Sequence, residues 1–310
     1  VLALTLGLAA CGQSHDAAPG AVTLALDWFA QPSNAGAYLA KAHGDYARQG
    51  LDVIIQPGGA QAVAIQVVAS GRAQFGLETG AHIIEARARG IPIVAIAATF
   101  QQSPSALFFH KGQPIRDFRD LNGRTVYTQV AAPQWAFQKK KYGLDQVRDL
   151  QFQGSYAAFA SDPRAVAQGY LTSTGDELAA QGVATESLRS PEDIGYASVL
   201  FTTEAMIRDH PDVVRKFVQA TKGGWDSYRA DPKAAVATLT PFIPGRGADS
   251  LLRESRAQEA FIWSGEATAR GWGWMTHDRW QAAIDELVAE GSVKPIAADT
   301  VFTTQFLVAP

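Results

Sequence analysis

The chain has a single cysteine, Cys11, in 310 residues. An internal disulfide cannot form, and a cysteine-built zinc cluster is excluded. Six histidines are present, but no pair has the His-Glu-x-x-His spacing that sets two imidazoles on one helical face. A surplus of basic charge is also lacking. Lys plus Arg is 27, Asp plus Glu is 30, and the net charge is −3, which gives no electrostatic footprint for a nucleic acid. The apolar opening, VLALTLGLAA, is ten residues long, whereas a membrane-spanning helix needs about 20. The 28 glycines and 15 prolines are scattered without a period, so collagen-like and low-complexity classes are excluded. What is present is an ordinary core-forming composition, 47% hydrophobic. At roughly 150 residues per domain, the length suggests two domains.

The opening segment matches the apolar core and small-residue end of a secretory signal, although no basic stretch precedes it. Its end, Leu8-Ala9-Ala10-Cys11-Gly12, resembles a bacterial lipobox. That resemblance implies cleavage before Cys11 and lipid on its thiol, with residues 1–11 as signal and 12–21 as a polar tether. A free cysteine in an ordinary signal peptide is the simpler alternative.

From Val22 the pattern alternates. Val22–Leu26 reads as a strand, Gly36–Gln49 as a helix closed by Gly50, and Leu51–Gln56 as a second strand. Ala60–Ser70 reads as helix, Ala73–Leu77 as strand, Gly80–Arg89 as helix and Ile91–Ala98 as a buried β-branched strand. This spacing predicts βαβ units and a mostly parallel sheet. Further on, Ala106–Phe109, Thr125–Thr128 and Ser198–Phe201 read as strands. Gln134–Tyr142 and Ala165–Gly169 read as helices, and the last 70 residues are helical in pattern. Trp263, Trp272, Trp274 and Trp280 are expected to pack in the core. Lys139-Lys140-Lys141 is expected to form a solvated face.

Several segments together carry a family resemblance. They are Leu26-Asp27-Trp28-Phe29, Asn34 to Ala40 (NAGAYLA), Ser70 to Gly76 (SGRAQFG), Asp117 to Val126 (DFRDLNGRTV), Gln168 to Ser173 (QGYLTS) and His210 to Phe217 (HPDVVRKF). The chain resembles the solute-binding proteins of bacterial ABC importers that are related to fungal thiamine-pyrimidine synthase. The resemblance covers nearly all of residues 22–308. It implies an α/β, two-lobed periplasmic binding protein fold of type II, with two crossover strands and the ligand between the lobes. Lobe one would hold 22–107 and 202–310, and lobe two 108–201. The strands near Leu107 and Leu200 fit the crossovers.

Asp27 and Trp28 follow the first strand at its carboxyl end, the edge where open α/β sheets bind ligands. A tryptophan there offers a stacking face, and Asp27 can accept from an exocyclic amine or cap the next turn. Asn34 and Gly36 stand at a helix start, as do Thr79 and Gly80, with His82 following. The resemblance places His82 where the fungal synthase has a working histidine, and places Tyr170, Thr172 and Thr174 across the cleft. Where relatives that bind thiamine-pyrimidine precursors carry Thr-x-Glu-Pro, this chain has Thr172-Ser173-Thr174-Gly175.

The resemblance also implies what is missing for synthase chemistry. The lysine that carries pyridoxal phosphate falls at Glu78, and the cysteine run falls at Gly195 to Phe201 (GYASVLF), which has no cysteine. A Schiff base needs an amine. The expectation is therefore a monomeric, lipid-anchored binding protein on the outer side of a bacterial membrane. It is not an enzyme and has no cofactor or metal. It would capture an aromatic heterocycle, such as a thiamine-pyrimidine precursor, and hand it to an ABC permease and its ATPase. A sulfonate- or nitrate-type anion binder and a synthase-like enzyme are the alternatives.

Overall fold

The computed structural model describes residues 21–59, 64–129, 133–192 and 194–308. Cys11 and the whole signal and tether therefore lie outside the described residues. Ten strands are arranged in two five-stranded sheets. Sheet one contains β1 (Ala21–Ala25), β2 (Asp52–Gln56), β3 (Phe75–Glu78), β4 (Ile93–Phe100) and β10 (Ser198–Thr203), in the order β2-β1-β3-β10-β4. Sheet two contains β5 (Ser105–His110), β6 (Thr125–Thr128), β7 (Arg148–Gln151), β8 (Val166–Tyr170) and β9 (Thr185–Leu188), in the order β7-β6-β8-β5-β9.

The first three strands of each order are parallel, as the βαβ spacing predicts. The fourth is antiparallel to both neighbours: β10 lies between β3 and β4, and β5 between β8 and β9. Both sheets are therefore mixed. The chain leaves sheet one through residues 101–104 and returns through 189–197. Ser105–Leu107 thus sit in sheet two and Ser198–Phe201 in sheet one, so the strands near Leu107 and Leu200 are the first strands on each arriving side.

Helices cover the sheets. In sheet one's half these are α1 (Ala35–Ala42), α2 (Asp45–Arg48), α3 (Ala64–Ala69) and α4 (Gly80–Ala88). Sheet two's half adds α5 (Pro133–Tyr142), α6 (Ala157–Ser161) and α7 (Thr174–Ala180). After the return come α8 (Glu204–Asp209), α9 (Pro211–Ala230), α10 (Pro232–Leu239), α11 (Ala248–Ile262), α12 (Glu266–Arg270) and α13 (His277–Ala289). All eight residues of β4 are buried, as expected for a strand covered on both faces. One apolar cluster lies under α1 and α9 with Leu24, Phe75, Phe217 and Trp225. A second lies under α4 and α13 and includes Phe137, which reaches over from α5 of the other half.

Three sequence expectations are corrected. The helix expected over 36–49 breaks at Gly44, whose φ of 75° needs the left-handed region that glycine tolerates. The helix expected at Ala165–Gly169 is instead strand β8: Val166 and Ala167 pair with β5 on one side and β6 on the other. A short apolar run does not distinguish the two by itself. The lysine run is not simply solvated. Lys139 pairs with Asp149, and Lys141 reaches Glu192 at 3.3 Å and Glu286 of α13 at 2.9 Å. Trp272 and Trp280 are buried as expected. Trp263 is half-buried beside Trp225, with ring centroids 6.2 Å apart, and Trp274 is half-buried under Arg270.

The α1–α9 contact depends on two glycines. A methyl at Gly224 would lie 1.9 Å from the Gly36 carbonyl oxygen, and one at Gly36 would lie 2.3 Å from the Trp225 ring. Gly224→Ala should therefore destabilise the fold by about 1–3 kcal/mol, although alanine is favoured over glycine within a helix by about 1 kcal/mol. The adjacent Gly223 has room, with its nearest neighbour at 3.6 Å. Gly223→Ala should be neutral or slightly stabilising in urea denaturation. Equal effects at the two positions would contradict the close-approach account.

Candidate functional site

Three neighbouring chambers lie at the loops, two lined from both halves and the third from sheet two's half and the connections alone. The central one is a neck of about 100 Å³ between Asp27, Asn34, Thr79 and His82 from sheet one's half and Gln168 and Tyr170 from sheet two's half. An outer chamber of about 680 Å³ opens beyond Trp28, Phe29, Phe152, Tyr156 and Phe242. On the other side a chamber of about 460 Å³ lies among Gln134, Trp135, Gln138 and Gln168. Gln168 lines all three. The two larger volumes fall within the size range of small-molecule sites.

Local structure explains how each side chain arrives. Strand β1 ends at Ala25, and the Leu26 amide still bonds to the Gln56 carbonyl at 3.0 Å, which carries Asp27 and Trp28 to the sheet edge. A one-turn helix at Pro32–Asn34 follows. Asn34 is buried and accepts from the Gln31 amide at 3.0 Å while donating to the Phe29 carbonyl at 3.3 Å. It shapes the loop that carries the aromatics as well as facing the neck. Thr79 caps α4, accepting from the His82 amide at 3.3 Å. Glu78, at the end of β3, accepts from the Thr79 amide and pairs with His82 Nδ1, both at 2.8 Å.

Two expected residues lie off the lining. The Gly80 amide donates to the Tyr196 carbonyl at 2.8 Å, and a methyl there would come within 2.9 Å of that oxygen. Gly80 thus sets how closely α4 approaches the returning chain. Thr172 is buried and lines none of the three chambers. Thr174 lines the outer chamber. Its hydroxyl accepts from the Tyr170 backbone amide and pairs with the Tyr156 hydroxyl, both at 2.9 Å, tying the Tyr156 phenol to the end of β8.

Phe152 and Tyr156 were not read from the sequence. They follow β7, an edge strand too exposed to show a period. Trp28 and Phe152 face each other across the cleft, with centroids 6.4 Å apart and planes 20° from parallel. Phe152 lies 4.8 Å from Tyr156.

The electrostatics favour an uncharged occupant. Burial, reinforced by the nearby Glu78 charge, pushes the Asp27 carboxyl up to about 7, against a partial offset from His82. Asp27 can therefore donate or accept near neutral pH. Burial also raises the Tyr170 and Tyr156 phenols, keeping them neutral. The cation at the outer chamber, Arg246, is already held by Glu254 at 2.5 Å and Glu177 at 3.3 Å. Burial opposes the Glu192 charge, but bonds from Ser190 and Tyr142 hold its carboxyl below the usual range. Among the described residues, no group of three or more His, Cys, Asp or Glu could hold a metal ion.

The family described as NMT1/THI5 like matches residues 31–235. The chain is 27% identical over 303 residues to a riboflavin-binding protein, RibY, of Chloroflexus aurantiacus, covering 92% of this chain and 86% of that protein. It is 24% identical over 243 residues to the 4-amino-5-hydroxymethyl-2-methylpyrimidine phosphate synthase THI11 of Saccharomyces cerevisiae, covering 72% and 71%. Its fold is that of the periplasmic binding proteins. The alkanesulfonate-binding protein SsuA from Xanthomonas axonopodis pv. citri superposes with a TM-score of 0.69 at 13% identity, over 93% of this chain and 100% of that one.

Asp27 also makes stability depend on pH. Its carboxyl lies near 3.8 when solvated and near 7 in the fold. The folded state binds the proton more tightly, so this contribution is complete below about pH 4 and is lost as pH rises through 7. Asp27→Asn removes the loss. The variant should gain on the order of 4 kcal/mol relative to the parent between pH 4 and pH 8 in urea denaturation. A parent–variant difference that is the same at both pH values would contradict the assignment.

Proposed function

Since the chain belongs to the NMT1/THI5-like family, we propose that it is the solute-binding component of an ABC importer and captures a small, uncharged aromatic heterocycle. The observation that carries this reading is the lining of the cleft. Trp28, Phe152 and Tyr156 supply ring faces, and Asp27, Tyr170 and Gln168 supply hydrogen-bonding groups, while Arg246 of the outer chamber is already paired with two carboxylates. A ring stacks on Trp28 with its polar edge toward the neck, where Asp27 accepts from an amine or ring N–H. The site set comprises Asp27, Trp28, Asn34, Thr79, His82, Tyr170 and Thr174, with Gly80 and Thr172 supporting its walls. Sheet one's half and sheet two's half, joined by the connections 101–104 and 189–197, form the two lobes and close on the ligand by a hinge. Cys11 carries the lipid that holds this monomer on the outer side of the membrane beside its permease and ATPase.

Two facts weigh on the alternatives. The fold resemblance to an alkanesulfonate-binding protein keeps an anion in view, but an anion in the neck would meet Asp27 with no Lys or Arg among the described residues that line it. The fungal relatives named as synthases keep catalysis in view. Glu78, however, has no amine for a Schiff base, and its carboxylate is engaged by His82 and the Thr79 amide.

Titration by calorimetry with pyrimidines, flavins, sulfonates and nitrate separates these readings. A heterocycle should bind with micromolar or tighter affinity. Trp28→Ala should weaken it about tenfold, because a stacking face is worth about 0.5–1.5 kcal/mol beyond burial and about 1.4 kcal/mol is a factor of ten. Tight sulfonate or nitrate binding that ignores Trp28→Ala would overturn the proposal.

A further inference from the structure

The chamber on the far side of the neck holds polar groups that the fold leaves unused. Gln138 and Thr128 are each only 5% exposed and both line it. Neither side chain has a hydrogen-bond partner among the described residues. Around them stand more groups of the same kind. Gln134 donates to the Ser190 hydroxyl at 3.3 Å, and Gln168 donates to the Ser105 hydroxyl at 3.2 Å while accepting from the Gln129 amide at 3.2 Å.

The one carboxylate among the described residues that line the chamber is engaged. Glu192 is bonded to Ser190, Tyr142 and Lys141. Arg189, exposed at the lip, lies 5.7 Å from the Phe261 ring centroid. Trp135 gives an apolar wall, with its indole N–H committed to Asp149 at 2.8 Å. Apart from Arg189 at its lip, the chamber offers neutral donors and acceptors together, the complement of hydroxyl or amide groups.

Its size and position matter as much. At roughly 30 Å³ per water, about 460 Å³ would hold some fifteen waters, and the neck of about 100 Å³ about three. We infer that this chamber receives an uncharged, hydrogen-bonding arm of the ligand, so that the solute is a flat ring bearing a hydroxyl- or amide-rich chain and not a bare ring. The inference rests on the heterocycle reading above and extends it. Gln102 and Ser103 of the outgoing connection and Ser190 of the return line the same chamber, so an arm there also touches both segments that join the halves.

A matched pair of flavins tests this: riboflavin, whose ring carries a ribityl chain, and lumiflavin, which has a methyl in its place. By calorimetry, the intact chain should bind riboflavin at least tenfold more tightly than lumiflavin. Gln138→Leu and, separately, Thr128→Val should each cut that ratio severalfold and leave lumiflavin affinity within twofold. Retained lumiflavin binding shows that each variant is folded. Equal affinities for the two flavins, a ratio unmoved by either substitution, or binding of a bare aminopyrimidine with no flavin bound would overturn the arm while leaving the heterocycle reading intact. If no ring compound binds, the heterocycle reading falls and the arm falls with it.

Discussion

Each half of this molecule is completed by a strand that arrives from the other. Strand β10 comes back from sheet two's half and wedges antiparallel between β3 and β4, and β5 does the same between β8 and β9. Neither sheet can be finished without the other half having been built or reached. The two connections, 101–104 and 189–197, must therefore leave and return side by side. That constraint fixes the cleft. It brings the ends of β1, β3 and β8 to one space, and it makes the connecting segments part of the lining.

Contacts beyond the connections then hold the halves in register. Arg253 meets Asp176 at 2.7 Å and Arg246 meets Glu177 at 3.3 Å on one rim. Lys141 meets Glu286 on the other, beside the buried Phe137. Exposed pairs such as Arg253–Asp176 contribute about 0–1 kcal/mol each, weak enough to break and re-form. The apolar seat of Phe137 is the firmer contact. The ring pair Trp28 and Phe152 spans the cleft.

Much of sheet one was legible in the sequence, because β1, β3 and β4 are apolar runs with glycine-marked turns and their order alternates with helices. The sites on strand ends, Asp27 and Trp28 above all, were legible for the same reason. Sheet two was less so. Strands β7 and β9 lie at its edges with their side chains largely in water, so burial imposes no period, and the short apolar run of β8 reads equally well as a helix. With β7 unread, Phe152 and Tyr156 could not be placed. Gln138 could not be singled out either, since an amide on a helix beside three lysines looks solvated until a partnerless cavity is seen beside it. The Asp27–Glu78–His82 cluster joins residues about 50 positions apart through the parallel pairing of β1 and β3, a long-range contact that spacing alone does not reveal.

The central claim is that the cleft between the halves selects a neutral aromatic heterocycle. The most direct measurement is native mass spectrometry of the protein purified from its own host, followed by release and identification of whatever co-purifies. The account predicts a near-ultraviolet-absorbing nitrogen heterocycle at one per chain, lost when Trp28 is replaced by Ala. Release of a sulfonate or nitrate instead would contradict it.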